Sequence, residues 1–145
     1  MKKLIYLFAI CLAFLTACSK DPKPDRATPF IGNWRTELAD SSLFTFQTFW
    51  KIERGGPNIV NIATTDSVVS RMEDFLPSFA VETQVYKVRI DESDNMILNY
   101  SRASPSTIFM YAGTASIVDG KLIAQIQETS GIDGSKWSKT LVLHR

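Results

Sequence analysis

Between Leu43 and Arg54 the chain alternates with a period of two, placing Phe44, Phe46, Thr48, Trp50 and Ile52 on one face. Leu43, Thr45, Gln47, Phe49, Lys51 and Glu53 fall on the other face, which is mixed in character. A helix would scatter these side chains around its circumference, whereas a strand sends successive residues to opposite sides. The aromatic and β-branched content agrees with a strand, and the even-numbered face is expected to point inward.

The residues on either side continue in the same style. Ile31 or Asn33 to Leu38 makes a first strand that ends at the polar turn Ala39-Asp40-Ser41-Ser42. Gly55-Gly56-Pro57-Asn58 closes a hairpin, with Ile59 to Thr64 returning alongside. From Thr65 to Pro77 the spacing of Val68, Met72 and Phe75 or Leu76 fits a short helix or irregular cover. Val68 to Met72 equally fits a strand. Ala80 to Ile90 is extended, with Tyr86, Val88 and Ile90 on one face and Lys87 and Arg89 on the other. The turn Asp91 to Asn95 leads to Met96–Arg102, and the break at Ser104-Pro105-Ser106 leads to Ile108–Val118. Gly113 and Ala115 in that strand leave room for close packing, a tight bend or something bound. Asp119-Gly120 readily takes the primed hairpin turn, and Leu122, Ala124 and Ile126 follow on an inward face. The last strand, Trp137 to Arg145, offers Leu141 and Leu143 to the core. Short strands joined by adjacent turns favour antiparallel neighbours, and closing the sheet removes its exposed edges. The expected fold is an all-β, antiparallel up-and-down barrel of about eight strands with at most one short helix.

The N-terminus follows different rules. Met1-Lys2-Lys3 is basic and Leu4 to Ala17 is an apolar run of fourteen residues, shorter than the roughly 17 to 25 needed to span a bilayer. Residues 1–17 are therefore expected to be a signal peptide. The run ends in Leu15-Thr16-Ala17-Cys18, which resembles the bacterial lipoprotein signal, where the cysteine becomes the acylated first residue. The resemblance implies fatty acylation (a palmitate-type chain among others) at Cys18 and attachment to a membrane without crossing it. Cys11 leaves with the signal, so the mature chain has no cysteine pair for a disulfide or a cysteine metal cluster. Residues 18–29, charged and proline-rich, are expected to be a flexible tether, and 30–145 a single domain. Losing Lys2 and Lys3 leaves 14 basic against 15 acidic residues, a balance that offers no electrostatic case for nucleic acid.

The stretch Phe30-Ile31-Gly32-Asn33-Trp34, the succession of strands and a basic residue near the end of the last one resemble the lipocalin-like small β-barrels of Gram-negative, Bacteroidetes-type envelope lipoproteins. In that family a tryptophan packs across the barrel base and a basic residue from the last strand lies against it. Gly32 and Trp34 match the first part, and Arg145 or Lys139 matches the second through a cation–π contact. The resemblance implies a cell-envelope address, an outer-membrane anchor and an open barrel end that holds a small hydrophobic molecule. Phe44, Phe46, Trp50, Tyr86 and Tyr111 are the candidate ligand-lining residues, although a packed core would use the same side chains.

An alternative is a fully packed barrel that serves as a non-catalytic scaffold or adaptor for another envelope protein, with Phe49, Phe75, Phe79 and Tyr100 as contact candidates. No enzyme is expected. His144 is the single histidine, and the serines lack a nucleophile motif. The acidic group Asp91, Glu92 and Asp94 beside Asn95 does not match a calcium loop and reads as a solvated turn. No metal and no other cofactor is expected.

Overall fold

The computed structural model describes residues 24–72, 77–103 and 106–145. The apolar leader, Cys18, Phe75 and Pro105 lie outside the described residues. The strands are β1 (Gly32–Thr36), β2 (Ala39–Asp40), β3 (Phe44–Gly56), β4 (Ile59–Ser70), β5 (Phe79–Ile90), β6 (Met96–Ala103), β7 (Ile108–Val118), β8 (Lys121–Ser130) and β9 (Lys136–His144). A 3-10 turn, Thr28–Phe30, precedes them. Each long strand is antiparallel to its neighbours, and β1 completes the cylinder by pairing with both β3 and β9. The result is a closed eight-stranded antiparallel barrel, with β2 an added short rung on β3.

The alternation of β3 runs the length of the strand, and β4 matches it from Ile59 opposite Gly56 to Ser70 opposite Phe44. Residues 65–70 are therefore strand, not helix. Thr65, Ser67 and Val69 take the outer face while Asp66 and Val68 face inward, so pairing to β3 overrides a spacing that fits either structure. The turns Pro57-Asn58 and Asp119-Gly120 are hairpins as expected. Asp119 and Gly120 both have positive φ, 50° and 74°, as a primed turn requires.

The barrel has two unlike ends. At the base, the turns after β3, β5 and β7 meet the start of β1 and the end of β9. At the mouth lie the connections after β2, β4, β6 and β8. The lower interior is apolar and filled by Phe30, Ile52, Val60, Val88, Met96, Leu122 and Leu143. Trp34 stands among them at 2% exposure. Its Nε1–H donates to the Phe30 carbonyl at 2.8 Å, and the Arg145 guanidinium lies over its ring, 4.6 Å from the centroid. Gly32 has φ 140° at this corner, which a side chain would strain.

The last residues assigned to the tether are bound to the base. Asp25 accepts hydrogen bonds from the N–H groups of Ala27 and Asn58 and pairs with Arg54. The Arg26 N–H donates to Asn58 Oδ1 at 2.8 Å, and its guanidinium donates to the Asp91 carbonyl, also at 2.8 Å. Ala27 is fully buried.

Candidate functional site

Above the apolar base the inward-facing positions change character. Thr48, Thr64, Asp66, Thr83, Tyr100, Arg102, Tyr111 and Lys139 surround a small void of about 10 Å³, room for about one water molecule. Each arrives by strand parity. Asp66 stands opposite Thr48 on β3, Tyr100 opposite Tyr111 on β7, and Lys139 opposite Ile126 on β8. Asp66 accepts from Thr48 Oγ1 at 2.7 Å and pairs with Arg102 at 3.0 Å. Lys139 Nζ lies 3.8 Å from Glu128. The Tyr100 and Tyr111 rings stack with centroids 4.7 Å apart and planes 9° from parallel. Arg102 and Lys139 both lie over Tyr111, at 5.5 and 5.6 Å from its centroid.

This layer is a plug. Opposite charges are matched inside it, so it presents no net charge to a ligand. One hydroxyl in it, Thr83 Oγ1, is buried without a hydrogen-bond partner among the described residues, while the Tyr111 hydroxyl bonds Glu128. Burial, the largest cause, pushes the Tyr111 phenol up to about 12, with nearby Glu128 and Asp66 adding to the shift and Arg102 opposing it. Tyr100 is raised as well, again mainly by burial and then by its stacked neighbour.

The raised phenols give a test of the plug. A tyrosine in the unfolded chain loses its proton near the ordinary value of 10.0, while the folded barrel keeps both. Above that pH the native state binds more protons than the unfolded one, so stability falls as pH rises towards 12 and is fully present below 10. The free energy of unfolding from denaturant titration is expected to decline at up to about 1.4 kcal/mol per pH unit for each tyrosine in this window. Tyr111→Phe should flatten the decline. An unchanged slope in that variant would show that Tyr111 ionises as freely in the barrel as outside it.

Over the plug, the mouth is aromatic. Phe44 and Phe46 have ring centroids 6.0 Å apart. Phe46 shares a cross-strand rung with Val68 and Phe79, and Trp137 faces inward opposite Glu128. Phe46, Phe79 and Trp137 are 42%, 54% and 52% exposed. They rim the opening instead of lining an enclosed cavity.

The five residues expected to line a ligand cavity thus separate. Trp50 and Tyr111 are interior and packed, Phe44 and Phe46 are at the rim, and Tyr86 is on the outside at 69% exposure. Tyr86 fails because β5 carries a bulge: Tyr86 and Lys87 together face Asn61, between the pairs Ile62↔Val85 and Val60↔Val88. Lys87 has φ 57°, and the extra residue reverses the parity, so Val85 and Val88 point inward and Tyr86 outward. Of the base residues, Arg145 and not Lys139 covers Trp34. Among the contact candidates, Phe49 lies on the outer wall, Phe79 at the mouth and Tyr100 inside, stacked on Tyr111. His144 Nε2 lies 3.7 Å from Glu37 on the outer surface. Asp91 is committed to its turn: Oδ1 accepts from the N–H groups of Ser93 and Asn95, and the Asn95 bond is the main cause that lowers its pKa.

The inward charges Asp66, Arg102, Glu128 and Lys139 were not singled out from the sequence as a cluster. The available signal was a charged residue at an inward parity position, as with Lys139 two residues before Leu141 or Arg102 two after Tyr100. Comparison of the chain with family models, curated proteins and solved structures finds no match.

Proposed function

We propose that this protein is a non-catalytic adaptor of the cell envelope, held at a membrane by acylation of Cys18, whose filled barrel presents a surface to another envelope protein. The observation that carries this reading is the plug. The Thr48 layer lies two residues below the Phe46 rim, which is about 7 Å along a strand. An acyl chain entering the mouth meets the Asp66–Arg102 pair and the stacked tyrosines within that distance. The remaining depth suits a side chain offered by a partner better than a lipid tail.

The docked segment supports an orientation as well. If Cys18 carries the lipid, six residues, 18–23, separate it from the segment bound to the base, a length of about 20 Å at full extension. The base then faces the membrane and the aromatic mouth faces away from it. The outer-membrane address belongs to the same proposal and rests on the lipoprotein signal.

The competing reading, a carrier of a small hydrophobic molecule, draws on the Phe44 and Phe46 rings at the mouth. Mild detergent extraction of the full acylated protein, followed by mass spectrometry of whatever leaves it on denaturation, separates the two. An adaptor should release no stoichiometric lipid beyond its covalent chains. One hydrophobic molecule per protein, lost on substitution of Phe46, would replace the adaptor reading with the carrier.

A further inference from the structure

The residues that follow the tether are held between two turns of the base. Asp25 and Arg26 both bind Asn58 in the β3–β4 turn. In the β5–β6 turn, Arg26 reaches the Asp91 carbonyl at 2.8 Å and the Asp94 carboxylate at 3.5 Å. The chain therefore joins the barrel on its β4 and β5 side, and the wall directly above that point is the last part of β5. There the bulge sends Tyr86 and Lys87 outward together, opposite Asn61. Lys87 is held at φ 57° with its N–H on Asn61 Oδ1. A lysine in that region is uncommon, and its effect here is to expose a ring that unbroken alternation would bury. Arg89, the next outward residue, stands between Ile59 on β4 and Ile97 on β6. Neither Lys87 nor Arg89 has an acidic partner among the described residues. Of the acids in the adjacent turn, Asp91 is taken up by N–H groups of its own loop and Asp94 by Arg26.

We infer that this patch, Ile59, Tyr86, Lys87, Arg89 and Ile97, rests on the headgroup region of the anchoring membrane and tilts the barrel towards its β5 side. The inference rests on the acylation of Cys18 in the reading above and specifies how the anchored barrel sits. Tyrosine, lysine and arginine suit a bilayer interface, the ring being amphipathic and the cations matched to anionic headgroups. The reach agrees. Tyr86 lies five residues before Asp91, about 17 Å along the strand, and the six residues from Cys18 span about 20 Å. Lipid held at Cys18 can thus lie level with the whole patch. The far wall offers nothing comparable: β9, four strands round, turns the neutral Ser138, Thr140 and Val142 outward. A partner protein fits this wall less well than a bilayer does, because the patch lies at the anchored end and away from the mouth.

The test uses the full acylated protein in vesicles of phosphatidylethanolamine and phosphatidylglycerol, floated on a density gradient. A fluorophore on one introduced cysteine, Asn99→Cys beside the patch or Thr140→Cys on the far wall, reads closeness to lipids that carry a quencher near the headgroup. Quenching at position 99 is expected to exceed that at position 140 by about fivefold or more. Lys87→Gln and Arg89→Gln should each lower the docked-to-free ratio about fivefold while flotation is kept. Raising the salt to about 0.5 M should do the same to the parent protein, which decides the matter if a variant does not fold. Equal quenching at the two positions with flotation intact would overturn the inference and leave the anchor standing, and so would quenching that neither salt nor the substitutions reduce. A Cys18→Ala variant that floats as well as the parent would end the anchor reading and the inference with it. In cells, a photo-cross-linking residue in place of Tyr86 should give lipid adducts, and protein adducts in their place would overturn the inference in favour of a partner.

Discussion

Trp34→Ala is expected to leave a barrel that barely folds. Trp34 stands opposite Trp50 on the β1–β3 rung that helps close the cylinder, and it is almost wholly buried. Its loss removes one of the two tryptophans buried in the core, orphans the Phe30 carbonyl that its indole N–H satisfied, and leaves the Arg145 guanidinium over empty space. Truncating a buried tryptophan costs about 3–5 kcal/mol, against a whole-domain stability of roughly 5–15 kcal/mol. The melting temperature should fall by about 10 °C or more. Trp34→Phe, which keeps a ring but loses the donor, should fall between. Arg145→Ala should cost only about 1 kcal/mol, because the guanidinium is largely exposed while it donates to the Pro29 carbonyl at 2.6 Å. A Trp34→Ala melting temperature within error of the parent's would mean that the base is held by the 3-10 turn and not by the indole.

The base was legible because its signals are local and large. A glycine two residues before a tryptophan, followed by strands with clear alternation, already implies a corner and a plate to cover it. What escaped the sequence were features set by partners distant along the chain. Asp25 and Arg26 look like tether residues until Asn58, Arg54 and Asp91 are brought beside them. Val68 and Met72 fit two periods, and only the ladder to β3 chooses between them. The bulge at Tyr86 and Lys87 leaves no mark in residue type, since a lysine at positive φ carries no signature; it is held there by the Asn61 side chain. That single extra residue moved Tyr86 outside. Of the five aromatic candidates, Phe44, Phe46, Trp50 and Tyr111 take inward strand positions and Tyr86 does not. The meaning of the aromatic rim changed once Asp66, Arg102, Glu128 and Lys139 were found to occupy the level beneath it.

Gly113 carries the second large effect, and its role decides among the close packing, tight bend and bound molecule that the sequence left open. An added Cβ at this position would stand 2.0 Å from the Gln125 carbonyl oxygen and 3.0 Å from the Ile126 Cα, all in the backbone of β8. No rotamer relieves such a clash, so the β7–β8 ladder would have to part where Gly113 faces Ile126. The glycine therefore serves close backbone approach, and the plug above it depends on that approach, since Tyr111 precedes Gly113 on the same inward face. Gly113→Ala is expected to cost about 1–3 kcal/mol or more as overpacking, despite the usual gain of alanine over glycine in a strand. Gly120→Ala is the informative comparison. A Cβ there meets nothing within 4 Å, so its cost is that of a positive φ alone, roughly 1 kcal/mol, and Gly120→Asn should recover most of it. Denaturation midpoints of the three variants decide the matter. If Gly113→Ala proves no worse than Gly120→Ala, the strands at that bend have slack, and the tightness of the interior that argues against a ligand cavity would have to be given up.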